Sequence, residues 1–516
     1  MKQSSKSESR TGNSIKNSLT SLIGNGVAFV IAFIAQAIFI KLLGAEYLGL
    51  NGLFTNILSM LSIFELGIGN AIVFNLYKPV AENDTKKIAA LMNFYKKAYR
   101  IIASLILAFG LLLLPFISYF VSNISININI YIVYLLFLFS TVTSYFMVYK
   151  RNLIIANQKN YIINIFHTIY LIILNLSQLL ILYFTKNYYL YLIIKIICQI
   201  LENILISIYA TKNYDYLKIN KNEKISNEIE KDIFSRVKAL IYHKVGAMIV
   251  LGTDNIIISK FFGLVSVGLY NNYYTVTNGI TTLFSQVIST TTASVGNLLV
   301  SKNADKKYEV FKKMRFLNSW ISIFTSVSLL VMIQPFISVW VGEKYKLDMF
   351  VVIWIVFNYF QTMQISTYNT FKDSAGIWRE DKFVPLIQAG LNIVFSIICL
   401  KIFGLAGVFM GTIICGLILW CYSYPKFIYK KLFCRSYIDY AKETIGYILL
   451  FILIAVVTYN FSLLIKCNSA FTQLIINTCI CLVIPNILMT IIFRKSDNYK
   501  YFKKIFTKYF LKVKEN

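Results

Sequence analysis

The sequence predicts an all-α integral membrane protein of about 14 transmembrane helices. Composition, the length of the apolar runs and the placement of positive charge lead there. Of 516 residues, 57% are hydrophobic and 14% charged, against about 25% charged in a soluble domain. A helix crossing the roughly 30 Å hydrocarbon core needs about 20 mostly apolar residues, each rising about 1.5 Å. Such runs lie near 17–43, 47–77, 101–121, 128–149, 161–184, 187–210, 235–259, 264–300, 316–341, 347–371, 384–403, 405–425, 443–465 and 470–493.

Lysine and arginine test that count, because cytoplasmic loops carry their excess. With the N-terminus inside, 42 of the 51 fall in inner segments and 7 in outer ones, while Lys195 and Lys244 lie within spans. One missed helix would scramble this alternation. It predicts a multi-pass protein of the cytoplasmic membrane with both termini cytoplasmic. It also accounts for the net charge of +28 without nucleic acid as a partner, since no soluble domain presents the charge.

Taken in order, 1–16 is a polar cytoplasmic tail that runs into the first span with no signal-peptide cleavage site. Helices 1–6 form an N-lobe over 17–210. The polar stretch 211–234 is a cytoplasmic linker, with Ile225, Ile229, Ile233 and Val237 at helical spacing across its end. Helices 7–12 form a C-lobe over 235–430, and 431–493 adds helices 13–14. The tail 494–516 sets Phe502, Ile505, Phe506, Tyr509 and Val513 at helical spacing among lysines. It reads as a basic amphipathic helix on the anionic inner leaflet, with membrane lipid as its partner.

A repeat supports the two lobes. "KLLGAEYLGL" (41–50) and "KFFGLVSVGL" (260–269) share K-x-x-G-x-x-x-x-G-L with a shift of 219. Six spans separate the copies, so the halves keep one orientation and are related by an axis along the membrane normal. The pattern marks the outer corner after the first helix of each lobe, with glycines easing the turn.

Three segments then carry a family resemblance: "FELGIGNAI" (64–72), "TDNIIISKFFGLVSVGLYNNYY" (253–274) and "GLAGVFMGTII" (404–414). They resemble the Wzx-type polysaccharide-export flippases of the multidrug/oligosaccharidyl-lipid/polysaccharide (MOP) exporter superfamily, over roughly 15–495. The resemblance implies two six-helix lobes in a MATE-like V around a central cavity, two further helices and alternating access. It implies a transporter of oligosaccharide units on a polyprenyl diphosphate, working beside a polysaccharide polymerase and glycosyltransferases. The first span lacks the cation-binding acid common in multidrug (MATE) relatives. No arginine falls inside an expected span, Arg100, Arg151 and Arg236 sitting at cytoplasmic edges, which departs from the cavity arginines of MurJ-type lipid II flippases. A MATE-type cation-coupled drug antiporter is the alternative reading.

Charges at bilayer depth default to functional positions. Here they are Glu65, His167, Lys195, Glu202, His243, Lys244 and Asp254. Lys195, Gln199 and Glu202 occupy i, i+4 and i+7 of one helix, a single polar stripe. His243 and Asp254 lie about 20° apart around another. Lys195, Gln199, Lys244 and Asn255 are the candidates for holding the substrate headgroup. Glu65, Glu202, His243 and Asp254 are those for coupling to a proton or sodium ion. Structural readings stand beside these: Asp254 pairs with Lys260, Glu65 braces through Asn70, and Lys195 and Lys244 bridge to Glu202 and Asp254. For Gly67, Gly69, Gly263, Gly268, Gly404, Gly407 and Gly411 the expectation is close helix packing. The eight cysteines lie mostly in apolar runs, with no metal-ligand spacing and no cofactor implied. No acidic metal cluster or glycine-rich phosphate cradle points to an enzyme.

Overall fold

The computed structural model describes residues 10–65, 68–121, 125–219, 223–289, 295, 296, 298, 299, 303–377 and 380–514, and among them it is helical throughout with no strand. Among the described residues, thirteen stretches are long and apolar enough to cross a membrane. One of them, Met248–Ser285, turns at Gly263 through non-helical backbone (φ 79, ψ 172). It therefore supplies two of the expected spans. The chain divides into two compact units, Met1–Asn271 and Asn272–Asn516.

The first unit holds α1 (Arg10–Leu43), α2 (Ala45–Leu61), α3 (Ile68–Ala81), α4 (Thr85–Leu113), α5 (Ile130–Tyr145), α6 (Val148–Ala156), α7 (Asn160–Thr185), α8 (Tyr188–Asn213) and α9 (Asn227–Ser289) as far as Asn271. Helix α8 packs against α5, α6 and α7, and α1 packs against α7. Asparagine and aspartate start these helices where an exposed N–H needs an acceptor: Asn129 caps α5, Asn187 caps α8, and Asp84 caps α4 by accepting from the Lys87 N–H at 3.0 Å. Helix α4 begins well before the apolar run at 101. Its first turns are amphipathic, burying Ile88, Met92, Tyr95 and Tyr99 while Lys86, Lys87, Lys96 and Lys97 face outward. A hydropathy window averages such a face away.

The repeated decapeptides take matching backbone and pack on each other. Gly44 (φ 97, ψ 176) and Gly263 (φ 79, ψ 172) adopt the same left-handed corner, which an L side chain resists. The second glycine of each copy does something else. A Cβ on Gly49 would lie 2.8 Å from the carbonyl carbon of Leu264, and one on Gly268 would lie 2.8 Å from that of Ala45. These contacts exchange under the shift of 219, so the repeat forms a reciprocal seam inside the first unit. Asn271 stands where the shift would place the partner of Gly52. It fills that space and donates to the Leu48 carbonyl at 3.2 Å.

The second unit contains α10 (Ala304–Trp340), α11 (Met349–Ala375), α12 (Val384–Phe403), α13 (Leu405–Ile418), α14 (Tyr437–Leu464), α15 (Ala470–Phe493) and α16 (Asp497–Lys514). Helices α12 and α13 form a tight hairpin: Gly404 turns it (φ 60), and Gly407 and Gly411 leave no room for a Cβ against the α12 backbone. Beyond Ile418, α13 continues as a π-helix over Leu419–Lys430. Helices α14 and α15 pack along α10. The amphipathic tail is a helix, α16, and its first turns stack on α10 through Phe502 on Phe316 and Tyr499 on Trp320, each pair 6.0 Å apart.

Candidate functional site

In the first unit, α5 ends at Tyr145 and α6 restarts at Val148. The restart brings Lys150 and Arg151 onto α8. Near the middle of α8, Glu202 is buried (5% exposed) and lies 3.0 Å from the Arg151 guanidinium and 3.1 Å from Nδ1 of His167 on α7. The same arm of Arg151 donates to the Asn203 side-chain oxygen at 3.0 Å, and the Asn203 amide donates to the Thr143 carbonyl at 3.4 Å. Tyr170 stacks on His167 at 5.6 Å. One turn along, Lys150 Nζ donates to Ser207 at 2.5 Å and Thr211 at 2.9 Å.

The carboxylate is enclosed, while its two partners reach outward: Arg151 is 23% and His167 50% exposed. Arg151 Nε has no partner among the described residues. The group is therefore a buried acid covered by a guanidinium and an imidazole that are themselves partly exposed. A guanidinium suits phosphate because its forked N–H groups bind two oxygens at once.

The other sequence-derived candidates separate. Lys195 lies 5.3 Å from the Phe137 ring, and Gln199 accepts from Ser140 at 2.8 Å. Both face α5, whereas Glu202 faces α6 and α7, because seven residues of helix span about 10 Å. The Glu202 pairing is thus with Arg151 and His167, not with Lys195. Glu65 accepts from the Tyr99 hydroxyl of α4 at 3.3 Å, beside Gly69 of α3 and Asn152 of α6. Asp254 and Asn255 are buried on α9. The side chains of His243, Lys244 and Asn70 lie outside the described residues.

Arg100, Arg151 and Arg315 all lie in helices that are long and apolar enough to cross a membrane, Thr85–Phe120, Ile130–Ala156 and Ala304–Trp340, and Arg315 is 2% exposed. Hydropathy places Arg151 at the edge of a span and Arg315 in the polar segment before one, because each lies close behind lysine. The apolar "NLIIA" after Arg151 and the aromatics Tyr308 and Phe311 before Arg315 were the signals that the helices extend through them.

Residues 14–295 match the protein family described as "Polysaccharide biosynthesis protein". No curated protein sequence matches the chain. Among solved structures, the lipid II flippase MurJ in an inward closed conformation superposes with a TM-score of 0.63 at 15% identity, covering 92% of this chain and 99% of that one. An inward-facing multidrug resistance MATE transporter of the MOP superfamily gives 0.54 at 12%, covering 76% and 91%. A MATE protein in a bent conformation gives 0.52 at 13%, covering 80% and 93%. At these identities the likeness is one of fold.

Proposed function

Because the chain belongs to the polysaccharide biosynthesis protein family, we propose that it is a flippase. It moves polyprenyl-diphosphate-linked oligosaccharide units from the inner to the outer leaflet of the cytoplasmic membrane, with its lysine-rich loops inside. The family match carries this reading, and the MOP-type fold with its buried charges fits it. The protein acts as a transporter rather than an enzyme, receiving its substrate from glycosyltransferases and passing it to a polymerase.

The Glu202 cluster couples the cycle. Arg151 bridges either to Glu202 or to a substrate diphosphate. A proton or sodium ion that neutralises Glu202 releases the guanidinium, and loss of that ion draws the guanidinium back. Lys150, one residue away, adds a second cation, because a diphosphate leaves water only against compensating positive charge.

Deleting the gene and analysing cell lipids tests the reading. The expected result is accumulation of one lipid-linked oligosaccharide, protected inside the cell, with loss of the matching surface glycan. An intact surface glycan with no accumulated lipid, together with altered dye efflux, refutes it in favour of drug antiport.

A further inference from the structure

Glu202 is the one acid on α1, α5, α6, α7 and α8. Both of its oxygens are engaged: Oε2 faces the Arg151 guanidinium at 3.0 Å and Oε1 faces Nδ1 of His167 at 3.1 Å. An ionised carboxylate only accepts, so Nδ1 carries the ring hydrogen and Nε2 keeps a lone pair. That nitrogen has no hydrogen-bond partner among the described residues, and the side chain is half-exposed.

Depth matters as much as bonding. Helix α7 has 26 residues, about 39 Å of rise, and so overhangs a hydrocarbon core of about 30 Å by about 4–5 Å at each end. His167 lies about 10 Å along it from Asn160. The imidazole therefore stands within about one turn of the interface, whereas Glu202 is sealed behind it.

The bonding separates the ions that could free Arg151. Sodium is a hard cation that needs a shell of oxygen ligands. The side-chain oxygens at this place, two on Glu202 and one on Asn203, already face N–H groups, and one arm of Arg151 holds two of the three. Sodium would have to displace that arm and then lie against its charge. A proton on Glu202 would turn an acceptor into a donor facing N–H groups, at a cost of about 1–3 kcal/mol. A proton on Nε2 breaks nothing, because Nδ1–H stays on Oε1. Imidazole is also the side chain whose charge changes between about pH 5 and 8. The ionisable groups around the ring are Arg151 and Lys150 of α6, Glu202 and Cys198 of α8, and Tyr170 stacked on it at 5.6 Å. Across α7, α1 brings Lys16, which stands over Tyr161.

We propose that the ion that frees Arg151 is a proton and that His167 carries it on Nε2. This rests on the reading of the Arg151 cluster as a diphosphate site. Protonation takes Arg151, Glu202 and His167 together from no net charge to a single positive one. The imidazolium holds the carboxylate and the guanidinium turns to the diphosphate. Proton and diphosphate binding then favour each other by one common factor. His167 is thus a positioning residue, acting on the substrate through Glu202 and Arg151.

The test is calorimetric titration of farnesyl diphosphate into the full-length protein in lipid nanodiscs, at about pH 6, 7 and 8 and in buffers of different ionisation enthalpy. Empty nanodiscs give the background. From the highest to the lowest pH, wild-type affinity is expected to rise about tenfold more than that of His167→Asn, whose amide can replace Nδ1–H but takes no proton. The wild type is also expected to take up more protons per probe bound, the ionisation of the probe itself cancelling in the difference. His167→Gln repeats the comparison with a longer amide. His243→Asn, which removes the other imidazole of the chain, is expected to keep the uptake, and exchanging sodium for potassium at constant ionic strength is expected to change nothing. Equal uptake in wild type and both His167 variants, loss of the uptake in His243→Asn, or a wild-type affinity that follows sodium at fixed pH overturns the proposal and leaves the diphosphate site standing. A wild type that binds no probe at any pH refutes the diphosphate site, and the proposal with it.

Discussion

The reciprocal seam between the repeats makes a prediction about coupling. Replacing Gly49 with alanine places a methyl carbon 2.8 Å from the Leu264 carbonyl carbon, where carbon atoms prefer about 3.5–4.0 Å. Backbone cannot rotate away as a side chain can, so the two helices must separate by about 1 Å. Overpacking of this kind costs about 1–3 kcal/mol, and the better helix propensity of alanine returns about 1 kcal/mol. A net loss of up to about 2 kcal/mol is expected for Gly49→Ala and, by the same geometry, for Gly268→Ala. The double variant is the sharper case. One separation relieves both clashes while propensity is gained twice, so its cost falls below the sum by about 1 kcal/mol or more. Gly26→Ala in α1 is the control, because a Cβ there meets nothing within 4 Å, and it is expected to stabilise. Thermal unfolding of the four variants in nanodiscs reads this out. Additive losses at Gly49 and Gly268, or a Gly49→Ala as benign as Gly26→Ala, refute the seam.

Other expectations follow from the geometry. Arg151→Ala strips the enclosed Glu202 of its closer partner and is expected to destabilise by about 2–4 kcal/mol and abolish transport; adding Glu202→Gln restores thermal stability but not substrate translocation. Gly44→Ala and Gly263→Ala force alanine into φ 97 and φ 79 and are expected to cost about 1–2 kcal/mol each in thermal unfolding. Phe502→Ala removes the ring stacked on Phe316 and is expected to free α16, seen as faster proteolysis of the tail without loss of the membrane domain.

Hydropathy placed most helices because lipid imposes a length and forbids unpaired backbone, so apolar runs and their breaks map directly onto spans. It failed where a helix is amphipathic: α4 and α10 start at Thr85 and Ala304 rather than near 101 and 316. The same averaging set Arg151 at an edge and Arg315 in a loop, since a cation beside lysines looks like a loop. For the site, helical spacing put Lys195, Gln199 and Glu202 on one stripe, of which Glu202 is the buried acid. Spacing on one helix says nothing of which neighbour each turn meets, so the pairing with Arg151 and His167 had to come from the packing. The repeat announced two equivalent corners through Gly44 and Gly263, but the contact of Gly49 with Leu264 is a relation between distant segments that no single stretch encodes.

The most direct test of the central claim is translocation itself. Purified protein in proteoliposomes, given a polyprenyl-diphosphate-linked oligosaccharide in one leaflet and an imposed ion gradient, is assayed by the accessibility of the glycan to an external lectin. The account predicts gradient-dependent transfer between leaflets that Arg151→Ala eliminates. Transfer no faster than in protein-free liposomes, from a preparation that is folded and correctly inserted, would contradict it.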